Sequence, residues 1–237
     1  MKKLILLLVV SFNIIITQAQ DLKLWYQTPA SNWNEALPVG NGRLGAMVFG
    51  GVQTERLQLN EESVWTHSDS YRDLPDGNKY IDEIRSLLFK GKYVEAQSLC
   101  DEKLMNDRLP SGTNTYQTLG DLIINFDGLD NYANYKRELQ LQNAIVQSSF
   151  TAGGSRHTRT VFSSAPDQTL VFLAEANKPG QISCTIEMNR PGEEEKVSIQ
   201  DLMIIMTEQL RDGKGVRYEA RVQVIPHGGE WHIDGNT

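Results

Sequence analysis

The 237-residue chain is short of cysteine, histidine, cationic charge and recognisable catalytic signatures. Its two cysteines, Cys100 and Cys184, cannot form the dense disulfide framework of a small secreted domain. Spacing leaves open whether they pair or stay as free thiols among apolar neighbours. The four histidines, His67, His157, His227 and His232, make no ligand-spaced cluster with cysteine, so no metal site is expected. No Gly-x-Ser-x-Gly elbow, P-loop or His-Glu-x-x-His occurs. The stretch "GNGRLG" from Gly40 departs from the dinucleotide-binding pattern because it reads as joining strand to strand. Nothing recurs at a fixed period, which sets aside a helical-repeat array. Acidic residues outnumber basic ones 30 to 23, which disfavours nucleic acid or an anionic membrane as partner.

A long apolar run occurs only at the start. In "MKKLILLLVVSFNIIITQAQ" two lysines precede an apolar stretch that ends at small residues, the layout of a secretory signal. The stretch is shorter than the roughly 20 residues of a spanning helix. Residues 1–19 are therefore expected to be removed, leaving an exported protein with no membrane attachment that begins at Gln20. Without Lys2 and Lys3, 21 basic residues face 30 acidic ones, a charge of −9.

What remains is mostly strand-like. Arg43 to Gly50 and Gln53 to Asn60 flank a Gly50-Gly51 turn and predict a hairpin. Strands are predicted over Leu119 to Phe126, Lys136 to Leu141, Ala144 to Thr151, Arg156 to Ser164, Gln168 to Ala176 and Gln181 to Met188. Ile182, Cys184, Ile186 and Met188 alternate with polar residues, as do Val216, Tyr218, Ala220, Val222 and Val224. A last strand is read over Glu230 to Ile233, followed by a turn signal with no return strand, which fits either a natural ragged end at Thr237 or the front of a longer protein. One helical island interrupts the pattern. Between about residues 78 and 105 apolar residues recur with helical spacing, broken at Gly91. The expected fold is mainly β, a large antiparallel β-sandwich (supersandwich) with an inserted helical hairpin.

Chemistry-bearing residues are few. Glycoside hydrolysis needs two carboxylates at a set separation, and Glu35, Asp121, the adjacent Glu61-Glu62 and the run Glu193-Glu194-Glu195 are the acidic candidates. Thirty acidic residues would place some pair near a groove by chance. Trp25, Tyr26, Trp33 and Trp65 with Asn34, Asn41, Asn60 and Arg43 offer flat apolar faces and planar polar groups, which suit a sugar. On composition alone the plainer reading is favoured, in which the tryptophans fill core or interdomain space and the Asn-Gly pair only makes a turn.

The stretch "LWYQTPASNWNEALPVGNGRLGAMVFGGVQTERLQLNEESVW" resembles the opening of glycoside hydrolase family 95, the inverting α-L-fucosidases. "IRSLLFKGKYVEAQSL", "YQTLGDLIINF" and the segment from Tyr135 to Ser183 resemble later pieces of that family in the same order. The resemblance implies an N-terminal β-sandwich, residues 20–237, that precedes an (α/α)6 barrel lying beyond Thr237. It places the acid and the water-activating group in that barrel, so no catalytic residue falls in this chain. It implies no cofactor, a fucosylated oligosaccharide or glycan as substrate, and inactivity of this portion alone. Asn41, Arg43, Glu61, Trp65, Tyr116 and Gln117 are then expected to share one edge facing the barrel or the sugar. A stand-alone carbohydrate-binding or purely structural sandwich is the alternative.

Overall fold

Alternating side chains on successive strands divide this chain into a dry face and a wet one, and two such faces meet. The computed structural model describes residues 22–66, 76–104, 115–191, 196–213 and 215–234. The expected signal, His67, Met105, the run Glu193 to Glu195 and the final turn signal from Gly235 lie outside the described residues.

One five-stranded antiparallel sheet contains β1 (Lys23–Tyr26), β6 (Tyr132–Gln140), β7 (Ile145–Ala152), β8 (Ser155–Ser164) and β9 (Thr169–Ala176), in that order across the sheet. The second runs β10 (Cys184–Asn189), β5 (Gly120–Phe126), β4 (Thr54–Glu61), β3 (Leu44–Val48) and β2 (Leu37–Gly40). β2 crosses β6, β7 and β8, and β3 crosses β8 and β9, so the two sheets form the sandwich. Leu37, Val39, Ala46, Val48, Leu57 and Leu59 from one sheet meet Leu139, Val146, Phe150 and Val161 from the other in a single core. A third sheet, β11 (Lys196–Gln200), β12 (Met203–Gln209) and β13 (Arg217–Gln223), adjoins β10 through β12, and Met206 is fully buried. A four-residue helix, Leu210–Gly213, links β12 to β13.

The predicted hairpin is β3–β4. At its turn, a Cβ on Gly51 would lie 1.9 Å from the Thr54 carbonyl oxygen, and Gly50 has φ 71°, so both positions require glycine. The helical island is present as α1 (Ile81–Phe89) and α2 (Tyr93–Lys103), preceded by a short 3-10 turn at Gly77–Tyr80. β2 was not expected because Pro38 sits in it. It is the edge strand, so Pro38 pairs with Met47 on one side while no neighbour needs an N–H on the other. β6 starts earlier than expected because the ladder shifts register between Ala133 and Lys136, which breaks the alternation read from sequence. The expected strand Glu230 to Ile233 is absent: that segment is exposed and unpaired with any strand. The wet-dry alternation holds for β13, whereas on β10 Cys184 is exposed and only Met188 is buried. Both cysteines are free thiols, Cys100 half-buried.

Candidate functional site

The six expected edge residues come together at one end of the sandwich, where β3 begins, β4 ends and β5 is about to start. Asn41 lies in the turn between β2 and β3. Its Oδ1 accepts from the Arg43 N–H at 3.0 Å and the Leu44 N–H at 2.8 Å, and its Nδ2 donates to the Ser164 carbonyl at 2.8 Å. It closes its own turn and ties that turn to the end of β8 in the other sheet. Arg43 extends the tie, donating from Nε to Gln168 Oε1 at 2.7 Å and pairing through Nη1 with Glu61 Oε1 at 3.3 Å. Glu61 is the last residue of β4, and its other oxygen accepts from the Ser63 N–H and hydroxyl at 2.8 and 2.6 Å. Burial opposes ionisation of Glu61, yet Ser63 and Arg43 together hold its carboxyl below the usual range.

Trp65 and Tyr116 follow on the same edge. They form an isolated antiparallel bridge, and their rings meet edge to face. Trp65 Nε1 donates to the Glu62 carbonyl at 2.9 Å. Partial burial, and then the charges of Glu61 and Glu62, raise the Tyr116 hydroxyl above its ordinary value. Gln117 donates its N–H to the Val64 carbonyl and accepts from Arg190 Nη2 at 3.0 Å. Arg190, at the end of β10, also donates to the Thr118 carbonyl and lies over the Tyr218 ring, joining this edge to the third sheet. Asn41, Arg43 and Glu61 are thus largely committed to internal partners, whereas Trp65 and Tyr116 keep 43% and 44% of their surface open. The arrangement can offer an aromatic face with an acidic border to something outside the domain.

Of the other residues singled out in the sequence, Asn60 and Glu62 flank Glu61 on this edge, and the following lie elsewhere. Trp25 and Tyr26 lie on the edge strand β1, and Trp33 and Asn34 in a short 3-10 turn whose Glu35 carbonyl accepts from Arg137. Trp25 and Trp33 are exposed, as is Trp65, so none of the three fills the core. Glu35 caps its own turn through Ser31 and Asn32. Asp121 is buried and paired with Arg56 at 2.9 Å. These carboxylates stabilise turns and strands and do not flank a common cleft. His157 is buried, stacked on Phe150 at 5.1 Å, and His232 is exposed outside any strand.

Sequence reasoning missed Gln168, Ser164 and Arg190, which complete the edge. The first two arrive from a turn more than 120 residues away, and no local pattern encodes that meeting. It also missed a buried ionic group at the opposite end, below the Gly50-Gly51 turn. Glu55 accepts from the Gly50 N–H at 2.8 Å and lies 3.9 Å from Arg159. Arg159 donates to the Gly51 and Val52 carbonyls and lies 3.7 Å from the Phe126 ring centre. An in-strand Arg among alternating polar residues reads as wet-facing, which is why the sequence hid it.

Residues 24–237 match the family described as glycosyl hydrolase family 65, N-terminal domain. The chain is 35% identical over 174 residues to Alpha-L-fucosidase 2 of Arabidopsis thaliana, covering 72% of this chain and 20% of that protein. It is 28% identical over 213 residues to Probable alpha-fucosidase A of Aspergillus niger, covering 86% and 26%. Over 159 residues it is 30% identical to Probable alpha-fucosidase A of Aspergillus oryzae, covering 63% and 21%. The chain spans about a fifth to a quarter of the length of these relatives.

Proposed function

This chain belongs to the family of glycosyl hydrolase family 65 N-terminal domains, and from that premise we propose that it is the front β-sandwich of an exported α-L-fucosidase of glycoside hydrolase family 95. The observation that carries the reading is the run of similarity to proteins named α-fucosidases, together with a sandwich in which the candidate carboxylates Glu35, Glu61 and Asp121 are each held by structural partners. On this reading the hydrolytic carboxylates belong to an (α/α)6 barrel outside residues 1–237, and the sandwich supports that barrel. The edge holding Trp65, Tyr116 and Gln117 faces the barrel, with Asn41, Arg43 and Glu61 as its internal brace. The substrate is a fucosylated oligosaccharide, cleaved by water with inversion and without a cofactor.

The test starts from the native exported protein, captured with an antibody against this domain. The expected species is several-fold heavier than the 26.7 kDa of this chain and hydrolyses an aryl α-L-fucoside, whereas residues 20–237 alone do not. A native species of the mass of this chain alone, or turnover by residues 20–237 that a carboxylate substitution abolishes, would overturn the reading.

A further inference from the structure

Trp25 is not used by the edge described above, yet its setting is specific. On β1 it pairs with Glu138 of β6 and is 55% exposed. Its neighbours Leu24 and Tyr26 face the other side, where Leu24 lies opposite buried Leu139 and the Arg137 guanidinium sits 4.4 Å over the Tyr26 ring. Trp25 therefore stands on the outer, wet face of its sheet. There it borders a depression of about 460 Å³ walled also by Lys23, Gln27, Asn134, Tyr135 and Lys136.

The depression coincides with an irregularity in β6. The ladder to β7 shifts between Ala133 and Lys136, and Asn134 has φ 54°. A bulge of this kind re-aims a side chain, and asparagine is among the residues that tolerate the left-handed region. From Trp25 a cross-strand row continues over the same face through Glu138, Gln147, Thr160 and Leu173, so the floor beside the indole is chiefly polar. Glu138 pairs with both Lys23 and Lys136, which leaves the wall with hydrogen-bonding groups and little net charge.

We propose that this depression is a non-catalytic glycan-holding site that takes a pyranoside ring. The apolar face of the sugar lies on the Trp25 indole, and its hydroxyls pair with the amides of Gln27 and Asn134. An aromatic face combined with a few placed polar groups is the usual composition of a small-ligand site, and the volume falls within the roughly 300–1,000 Å³ such sites span. Beside the indole and Tyr135 the walls carry two amides and two ammonium groups, a mixed lining that suits a hydroxylated ring better than an apolar protein anchor. The choice of a glycan as ligand rests in part on the proposed function; the presence of a site does not.

The experiment is a titration of the full chain with 2′-fucosyllactose, lactose and cellotriose, followed by saturation-transfer NMR and calorimetry. At least one of these should bind saturably. Trp25→Ala should weaken that binding by about tenfold or more, the scale of a lost stacking contact. Asn134→Gly, which accepts φ 54° without strain, should weaken it by a smaller factor, and Trp231→Ala, at an exposed indole that does not border the depression, should leave it unchanged. Circular dichroism and melting confirm that the variants fold. Lack of saturable binding to all three sugars overturns the site, as does binding that Trp25→Ala leaves intact or that Trp231→Ala abolishes. Because the titration needs no turnover, Trp25-dependent binding of cellotriose but not 2′-fucosyllactose would uphold the site while counting against the fucoside reading.

Discussion

Trp65 and Tyr116 close the root of the helical insert: their backbones bridge, and their ring centres lie 5.3 Å apart at 65°. Next to them the Thr66 N–H donates to the Thr115 carbonyl at 2.9 Å, and the Thr115 N–H donates to Thr66 Oγ1 at 2.8 Å. α1 and α2 bury only Ala96 between them, so they have little core of their own and depend on this root for placement.

A double-mutant cycle on this pair should therefore show coupling. Trp65→Ala and Tyr116→Ala are expected to be non-additive by about 0.5–1.5 kcal/mol, the range for an edge-to-face aromatic pair. Urea unfolding measures the coupling, and hydrogen exchange should rise in α1 and α2 in either single variant. Additive effects with unchanged exchange in the helices would mean the insert is held elsewhere.

Two glycines in the same motif-rich stretch should respond very differently to alanine. At Gly51 the added Cβ would sit 1.9 Å from the Thr54 carbonyl oxygen, which forces the β3–β4 turn to open. Gly51→Ala is expected to cost at least about 4 kcal/mol or to prevent folding. At Gly42, with φ 97°, nothing lies within 4 Å of the added atom, so only backbone strain of about 1–2 kcal/mol applies. Thermal melting of the two variants should rank them in that order, and equal losses would refute the steric account.

Asn41 explains why part of the site was legible in the sequence and part was not. The Asn-Gly turn signal is local, and the amide does close its own turn. Its third bond, to Ser164, depends on how two sheets meet, which no neighbouring residue encodes. The same division runs through the fold. The alternating strands, the Gly50-Gly51 hairpin and the break at Gly91 could be read because period and turn chemistry are local. The proline-bearing β2, the bulged β6 and the buried Arg159 could not, because edge position, register shift and burial of a charge are settled by tertiary packing.

Replacing Asn41 separates its two roles. Asn41→Asp keeps the acceptor for the Arg43 and Leu44 N–H groups but loses the donor to Ser164, and should cost about 1 kcal/mol. Asn41→Ala loses both and should cost about 2–3 kcal/mol. If the two variants are equally stable in chemical denaturation, the turn-closing bonds contribute nothing and the tie to β8 carries the whole effect.

Glu55 should give the stability a distinctive pH dependence. Burial raises its carboxyl to about 7, against the opposing pull of Arg159 and the neighbouring N–H groups, while the ordinary value is 4.5. Between these values the folded state keeps a proton that the unfolded state has released. The contribution is thus fully present below about 4.5 and is lost as pH rises through about 7. His157 acts in the opposite sense: burial lowers its basicity, so its contribution is present above the ordinary 6.5 and is lost as pH falls. Glu55→Gln isolates the carboxyl, since it keeps the shape and removes the titration. The stability of the native chain relative to that variant should fall by an amount on the order of 2 kcal/mol between pH 4.5 and 8. Should the variant fail to fold, the carboxyl carbon of Glu55 can be titrated directly by NMR in the native chain. A difference that stays flat with pH, or a carboxyl that titrates near 4.5, would show that Arg159 and the Gly50-Gly51 turn keep Glu55 ionised despite its burial.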